Sequence, residues 1–495
     1  MKKIYSLLFI LIALSSCVDL EETLYDRLPD SVYPENEIQG ALITGPIYEP
    51  LREFLDWGGW WFCQEVPSDE LVFPTRHTDW DDGGKWRVLH QHTWTNTTEA
   101  VAAMWSRYYA GVGETNQLLE LMGTSDDPAV LATIAKLKIM RAFYYYLLID
   151  NYGDVPFVTT FADAEELPFK TDKAEIWQAI VTDVVENTPN LGDGTAKNAV
   201  TKGMAYTLLA KLYLNAEVYT GTAHWAEAKA ACDSVLDLPY SLEADITSAF
   251  ATENSASTEN IFTIPFDEDS YQGFNLHMRT LHYNMDRMFN MVAGPWNGCA
   301  AMYDFYESYE DGDLRQDEWF FVGKMFDING NPILDPTAGS NLDLNPYIPA
   351  LSMDLSYTYQ EIRMSGARVA KFEIATGAKE NLSNDFPLFR LADVYLMRAE
   401  ADFREDNEVE QESLDLINKI RSRAGLSDWS AADVTLDNLL AERGHEMFFE
   451  GHRRQDLLRF GKFNDAWWEK EASSSDRNTF PIPQWVIDAN PNLAN

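Results

Sequence analysis

Apolar side chains recur at helical spacing over two long stretches in the first half of the chain. The first stripe consists of Leu131, Ile134, Ala135, Ile139, Ala142, Phe143, Tyr146 and Leu147, and the second of Ala205, Leu208, Leu209, Leu212, Tyr213 and Ala216. Because residues three and four apart share one face of a helix, each stripe predicts an amphipathic helix. A turn at Thr220-Gly221 separates the second stripe from another predicted helix, Trp225 to Leu236. Such a pair is typical of tetratricopeptide-like hairpins.

A comparable helix pair is predicted nearer the C-terminus, from Leu388 to Phe403 and from Gln411 to Ala424. The long stretch between the two pairs holds scattered prolines, short apolar runs such as Asn260 to Ile264, and turn signals such as Asn329-Gly330. We therefore predict a mainly α-helical protein in which tetratricopeptide-like pairs form a scaffold that a long, loop-rich, irregular insertion interrupts. The predicted regions are 36–238 (aromatic loops and scaffold), 239–387 (insertion) and 388–495 (C-terminal helix pairs).

The segment from Glu442 to Gly461 mixes charged and apolar residues in a way that is unusual for a solvent-exposed helix. Its periodicity predicts one helix that ends near Glu450, before Gly451, and a second from Gln455 to Phe460. The charged residues are Glu442, Arg443, Glu446, Glu450, Arg453, Arg454, Asp456 and Arg459. We interpret them as an ion-pair network buried between packed helices, and not as a ligand pocket.

These residues also carry a resemblance to a known family. The segments that resemble the SusD/RagB family of surface glycan-binding lipoproteins are Glu442-Arg443, Phe449 to Arg453, Asp456 to Gly461, Phe389 to Ala401, Ile417 to Leu426 and Phe480 to Leu493. The resemblance implies a SusD-like fold. It also implies that the helical scaffold docks a TonB-dependent transporter of the SusC kind while the loops face a glycan.

The N-terminus has the layout of a lipoprotein signal peptide. Lys2 and Lys3 precede an apolar run that is too short to span a membrane, and Leu14-Ser15-Ser16 leads into Cys17. We predict that residues 1–16 are removed, that Cys17 carries the lipid, and that residues 17–35 form an acidic tether. The alternative is an ordinary secretory signal with an incidental cysteine. By resemblance, the anchor would hold the protein in the outer membrane, facing the exterior.

Composition excludes several classes of function. A net charge of −41 would repel nucleic acid and other polyanions. The cysteines other than Cys17 lack paired spacing, so they predict neither disulfides nor a zinc site, and no cofactor motif is present. His90 and His92 alternate within a possible strand, but no further metal ligand is placed near them. We therefore predict no metal and no cofactor.

Tryptophan is concentrated between Leu51 and Tyr109. The residues are Trp57, Trp60, Trp61, Trp80, Trp86, Trp94 and Trp105. The middle of this region lacks helical or strand periodicity and predicts a long ordered loop. Flat aromatic faces match the C–H faces of sugars, and polar groups beside them bind hydroxyls, so carbohydrate is the expected ligand. We assign Trp94 and Trp105 to the core and Trp80, with Arg76 and Asp79, to the ligand.

Two short motifs in the insertion hold an aromatic residue beside glycine or proline. They are Tyr271-Gln272-Gly273 and Gly294-Pro295-Trp296-Asn297-Gly298. A stiff, exposed loop presents an aromatic platform that loses little entropy on binding. The family resemblance implies the same role, because an aromatic residue at each of these places belongs to the binding arc of the starch-binding member. Tyr271, Trp296 and Asn297 are therefore predicted glycan contacts.

The function predicted from the sequence is capture of a neutral oligosaccharide or polysaccharide at the cell surface, with no catalytic residue. Two alternatives belong to other classes. A glycoside hydrolase or lyase would need an acid/base pair of carboxyl groups, and 79 acidic residues do not exclude one, although no segment nominates it. A structural or adhesin lipoprotein would have all its tryptophans in the core. The identity of the glycan does not follow from the sequence.

Overall fold

The structure is a computed structural model that describes residues 37–162 and 165–494. The predictions for the signal peptide, for Cys17 and for the acidic tether lie outside the described residues. Within the described ranges, no helix is both long enough and apolar enough to cross a membrane.

The first half of the chain contains the long helices of the scaffold and several short ones. Their bounds are α1 Glu37–Thr44, α2 Glu49–Arg52, α3 Trp60–Glu65, α4 Lys85–His90, α5 Glu99–Met122, α6 Pro128–Tyr152, α7 Lys173–Asn187, α8 Lys202–Leu214, α9 Ala216–Thr220 and α10 Trp225–Leu236. Helix α6 shows why they form here: Asp127 caps its first turn, Pro128 is its first residue, and Gly153 with φ +72° ends it. Neighbouring helices pack in pairs, α5 on α6, α6 on α7 and α8 on α10.

The second half contains short helices, then the C-terminal scaffold. The helices are α11 Leu276–Thr280, α12 Asp286–Phe289, α13 Tyr303–Tyr306, α14 Leu314–Glu318, α15 Tyr359–Met364, α16 Leu391–Asp406, α17 Gln411–Arg423, α18 Leu436–Met447, α19 Arg453–Arg459 and α20 Gln484–Ala489.

The strands of both halves are short. They are β1 Leu71–Val72, β2 Thr75–Arg76, β3 Asn260–Ile264, β4 Ala300–Ala301, β5 Phe320–Phe321, β6 Gly323–Lys324, β7 Leu334–Asp335, β8 Ser340–Asn341, β9 Asp343–Leu344, β10 Ser352–Met353, β11 Arg368–Val369 and β12 Phe386–Arg390. This confirms the prediction of a helical scaffold with loops.

The two parts of the scaffold are continuous in space although the insertion separates them in sequence. Helix α10 packs on α8 and also on α16, the first helix of the C-terminal pair. Strands β3 and β12 pair in antiparallel fashion, with Phe386 opposite Ile264 and Arg390 opposite Asn260. The prediction that a helix begins at Leu388 was wrong, because this strand pairing holds the chain extended up to Arg390.

The joint between α18 and α19 contains a left-handed Gly451, as predicted, but the joint begins and ends earlier in the chain than predicted. Helix α18 ends at Met447, three residues earlier than expected, because Phe448 leaves the helical conformation with a ψ of 134° and Phe449 follows with a left-handed φ of +69°. Gly451 is left-handed as well, with a φ of +80°. Gly451 is also required by packing, since a Cβ atom there would lie 2.3 Å from the indole of Trp60. Helix α19 begins two residues earlier than predicted, at Arg453.

The charged residues of this segment are buried, as predicted, but most of their partners come from elsewhere in the chain. Arg453 binds Asp69, and Arg454 binds Asp150. Within the segment, Asp456 accepts hydrogen bonds from Arg443 and Arg459. The segment therefore ties N-terminal elements to the C-terminal scaffold.

The two histidines of the tryptophan-rich region do not share a strand, so that interpretation was wrong. His90 ends helix α4, and its Nε2 donates to the carbonyl of Trp468, whereas Nε2 of His92 donates to the carbonyl of Pro67. A polar N-terminal turn followed by Trp86, Leu89 and His90 on one buried side favours helix here. Among the described residues, no group of His, Cys, Asp and Glu is arranged to hold a metal ion. Cys63, Cys232 and Cys299 are buried and unpaired.

Candidate functional site

Three tryptophans from distant parts of the chain meet at one surface cavity of about 470 Å³. The lining residues are Trp57, Asp79, Trp80, Asp82, Lys85, Tyr283, Pro295 and Trp296. The indoles are close together: the ring centroid of Trp57 lies 5.6 Å from that of Trp296 and 5.8 Å from that of Trp80. The cavity therefore has one continuous aromatic wall.

The wall is supported by further aromatic packing from below. Trp57 contacts Trp86 and Phe62, and Phe62 stacks on Trp86 with their centroids 4.5 Å apart. Trp57 and Trp296 are half-buried, whereas Trp80 lines the cavity but is only 7% exposed. Two of the three indoles thus offer area for stacking, and the third fixes them from the side.

The loop that carries Trp80 has an unusual backbone. His77, Trp80 and Asp82 all have left-handed conformations, with φ of +65°, +58° and +43°. Bulky residues rarely adopt this region, so tertiary contacts must hold them there. For Trp80, the Nε1 group donates to the carbonyl of Trp296 at 2.7 Å, and the indole packs on Gly298, where a Cβ atom would lie 2.4 Å from the ring.

Polar groups surround the aromatic wall and are themselves held in place. Asp79 accepts hydrogen bonds from the main-chain N–H of Trp80 and from the hydroxyl of Tyr283. Burial and the neighbouring Asp79 raise the pKa of Tyr283 to about 12, so its hydroxyl stays protonated as a donor. Asp82 accepts from Nε1 of Trp86 at 2.7 Å. Each carboxylate keeps acceptor capacity that a ligand hydroxyl can use.

Lys85 is the cationic residue of the lining. Its ammonium lies 4.7 Å from the ring centroid of Trp86 and 5.9 Å from that of Trp57, and it reaches the exposed Glu99 only at 3.9 Å. Its three N–H groups are therefore available to hydroxyl oxygens beside the aromatic wall.

Two of the predicted contact residues lie behind the cavity and do not line it. Arg76 is 2% exposed, and its guanidinium donates to the carbonyls of Ile362 and Ser365. Asn297 is fully buried, donates to the carbonyl of Arg363, and accepts from the guanidinium of Arg368. Both side chains support the loops that form the wall.

Tyr271 is exposed but lines a different cavity, of about 530 Å³. Its hydroxyl donates to Glu49 at 2.9 Å, and the guanidinium of Arg52 lies 3.9 Å from its ring centroid. The structure therefore brings Trp80, Asp79 and Trp296 together and gives Tyr271 a separate place.

Sequence reasoning did not single out Trp57, Asp82, Lys85 or Tyr283 as contact residues. Trp57 precedes the glycine pair Gly58-Gly59, much as Trp296 lies among glycine and proline residues. This sequence feature could have identified Trp57 as a contact residue. Tyr283 carried no local signal, since its role depends on a hydrogen bond to Asp79, which is 204 positions away. Trp94 and Trp105 are buried, as predicted.

Comparison with known proteins identifies relatives over most of the chain. A family model described as SusD family matches residues 258–495, and one described as starch-binding associating with outer membrane matches residues 71–214. Starch-binding protein SusD of Bacteroides thetaiotaomicron is 24% identical, over 87% of this chain and 84% of that protein. SusD-like protein P2 of Formosa agariphila is 25% identical, over 94% of this chain and 92% of that protein.

Solved structures agree with the sequence relatives. A SusD superfamily protein from Parabacteroides distasonis superposes with a TM-score of 0.75 at 21% identity, over 92% of this chain and 98% of that one. Surface glycan-binding protein A from Bacteroides thetaiotaomicron, in complex with laminarihexaose, gives 0.73 at 21% identity over the same shares. These neighbours share the arrangement of helical scaffold and loops. The family model places residues 258–495 in the SusD family, and the relatives extend the similarity over most of the chain.

Proposed function

We propose that this protein captures oligosaccharides at the aromatic cavity, without cleaving them, and delivers them to a TonB-dependent transporter of the SusC kind. The observation that carries the proposal is the wall formed by Trp57, Trp80 and Trp296, whose positions are fixed before any ligand arrives. A wall of this kind binds the C–H faces of sugar rings at a low entropic cost.

The polar groups of the cavity suit a neutral glycan. Asp79 and Asp82 offer acceptors for sugar hydroxyls, and Lys85 offers donors. Two carboxylates against one ammonium also disfavour an anionic ligand. In this proposal Trp296, Trp57, Trp80 and Asp79 contact the sugar. Arg76 and Asn297 hold the wall, and Tyr271 contacts only a glycan long enough to reach the second cavity.

The relatives support the same class of ligand. One is a starch-binding protein, and a structural neighbour was solved with laminarihexaose, so both bind neutral glucans. Aromatic stacking alone does not distinguish one neutral glycan from another, so the identity of the glycan that this chain binds is a separate question.

The enzyme alternative finds little support in the cavity. A glycosidase needs one carboxyl group that donates a proton to the leaving oxygen. Asp79 and Asp82 instead accept hydrogen bonds from an O–H or N–H group of the protein, which suits a role as acceptors. A structural or adhesin role is also less well supported, because Trp57 and Trp296 are not part of a closed core.

A panel of soluble neutral glycans tests the proposal. We expect isothermal titration calorimetry to detect binding of at least one glycan, while an assay for new reducing ends detects no turnover. New reducing ends would support the enzyme, and no binding to any glycan would support the structural protein.

The lipid anchor is a second part of the proposal. Changing Cys17 to Ala should release the protein in soluble form, because acyl chains on this thiol are the proposed attachment to the membrane. Fractionation of cells that express wild-type and variant protein measures the change. Mass spectrometry of the mature wild type should show a lipid-modified Cys17 at the N-terminus, and an unmodified, uncleaved terminus would contradict the assignment.

A further inference from the structure

Three buried arginines behind the aromatic cavity differ from the buried arginines of the scaffold. In the scaffold, arginines such as Arg390 and Arg459 bind buried carboxylates. Arg76, Arg279 and Arg368 are at most 2% exposed, and among the described residues none of them forms an ion pair. Their guanidiniums donate instead to main-chain carbonyls and, for Arg368, to Asn297. Burying a cation without a counterion costs free energy, so each of these residues needs a compensating role.

The side chain of Arg279 lies against the loop that carries Trp57. Its guanidinium carbon is 4.8 Å from the ring centroid of Trp57 and 4.7 Å from that of Phe62. One of its N–H groups donates to the carbonyl of Leu55, two residues before Trp57. Stacking and a directional hydrogen bond together fix both the ring and the backbone of this loop.

The main chain of the same residue holds the loop that carries Trp296. The carbonyl of Arg279 accepts hydrogen bonds from the N–H groups of Gly298 and Cys299, both at 2.8 Å. The preceding carbonyl, of Met278, accepts from the N–H of Trp296 at 2.7 Å. One short helix, α11, thus binds one loop through a side chain and the other loop through its backbone.

Burying the guanidinium of Arg279 in this arrangement costs the protein free energy. Nε and Nη1 of Arg279 are buried without hydrogen-bond partners, and burial lowers the pKa of the guanidinium to about 9. A methionine of similar length would fill the same volume with no polar group to satisfy. Packing alone therefore does not account for an arginine at this position.

We propose that Arg279 is a positioning residue that sets the separation of Trp57 and Trp296 for stacking against the sugar. The proposal rests on the proposed function, in that the two indoles are taken as the glycan platform. Arg279 itself does not line the cavity and acts through Trp57.

A double-mutant cycle tests this coupling. Arg279→Met should weaken glycan binding by at least about tenfold, the scale of a residue that governs a binding hot spot. If Arg279 acts through Trp57, adding Arg279→Met to Trp57→Ala should weaken binding little further, because the positioned ring is already gone. Additive losses in the double variant would overturn the proposal.

Arg421→Met is the matched control. The guanidinium of Arg421 lies 4.5 Å from the ring centroid of Trp429, and the side chain is buried in the scaffold, where it binds Glu442. We expect this variant to lose stability while each folded molecule keeps its affinity. If Arg421→Met weakened glycan binding as much as Arg279→Met, general destabilisation would explain both and the proposal would fail.

A measurement without ligand separates this inference from the proposed function. Protein labelled with 5-fluorotryptophan gives one ¹⁹F resonance per indole, and Trp57→Phe and Trp296→Phe variants assign two of them. Arg279→Met should shift both resonances, and Arg421→Met should shift neither. Unchanged Trp57 and Trp296 resonances in Arg279→Met would overturn the positioning role, even if wild-type protein binds glycan. If wild type binds no glycan, the proposed function fails, and the spectra still decide whether Arg279 positions the rings.

Discussion

Replacing Glu446 by glutamine should lower the free energy of unfolding by about 3–5 kcal/mol, the scale for breaking a buried ion pair. Glu446 is fully buried in helix α18. One of its carboxylate oxygens lies 2.7 Å from Arg390 and 2.5 Å from Arg423, and the other lies 3.2 Å from Arg315. Glutamine keeps the volume of the side chain but removes the charge that three buried guanidiniums share.

The effect is expected to be large because these arginines belong to different elements. Arg390 ends strand β12, Arg423 ends helix α17, and Arg315 lies in helix α14. Each has a further carboxylate partner, so the loss leaves each cation partly and not wholly unpaired. Glu446 therefore joins the insertion to the C-terminal scaffold through charge.

The same carboxylate predicts a dependence of stability on pH. Burial by itself would raise the pKa of Glu446, but the guanidiniums of Arg423, Arg390 and Arg315 together hold it well below its usual range. Its contribution is therefore complete above the pKa of an unfolded glutamate, about 4.3, and is lost as the pH falls toward the folded value. The stability difference between wild type and Glu446→Gln should shrink below about pH 4 for this reason.

Asp437→Asn provides the control on the same helix. Asp437 is 86% exposed and reaches Lys462 only at 3.9 Å, so its loss should leave the denaturant midpoint unchanged. Urea unfolding of the three proteins, followed by circular dichroism at pH 7 and at about pH 3, measures the difference. A midpoint for Glu446→Gln equal to that of wild type would show that the buried charges contribute nothing net. Glycan binding per folded molecule should survive in both variants.

The buried charges also show what sequence alone predicts and what it does not. Alternation of charged and apolar residues around Gly451 correctly predicts that the charges are buried. It suggests that neighbours in sequence pair with one another, whereas Arg453 pairs with Asp69, 384 positions away. Helical spacing identifies which side of a helix is buried, but the partner across that face depends on tertiary packing that local periodicity does not encode.

For the candidate site, too, local sequence features predicted some residues correctly and others not. Trp80 and Trp296 were found from local features, a segment without core periodicity and a stiff glycine–proline turn, and the structure places them side by side. Arg76 was expected at the rim because it is close to Trp80 in sequence. Strand β2 instead directs it into the interior, where it bonds to main-chain carbonyls. Tyr271 has the same kind of local signal as Trp296, yet its contacts with Glu49 and Arg52 draw it to another cavity.

Replacing Trp296 by alanine should lower glycan affinity by at least about 2 kcal/mol, roughly thirtyfold, while the thermal midpoint changes little. The indole is half-buried and supplies one of the two faces available for stacking. Stability should be nearly kept because the loop is held by its backbone. The carbonyl of Trp296 accepts from Nε1 of Trp80, and its N–H donates to Met278, and both bonds survive in alanine. Calorimetric titration and differential scanning calorimetry measure the two quantities.

Trp105→Ala is the matched control and should behave in the opposite way. Trp105 is 5% exposed and packs between Tyr109 and Tyr152, with ring centroids 4.7 Å and 5.0 Å away. Removing a buried indole should cost about 3–5 kcal/mol of stability through the cavity it leaves, and the affinity of each folded molecule should stay the same. A large loss of stability in Trp296→Ala would assign that residue to the core. If the two variants lose affinity and stability to the same extent, the division of the tryptophans into a binding wall and a core is wrong, because the two indoles would then have the same role.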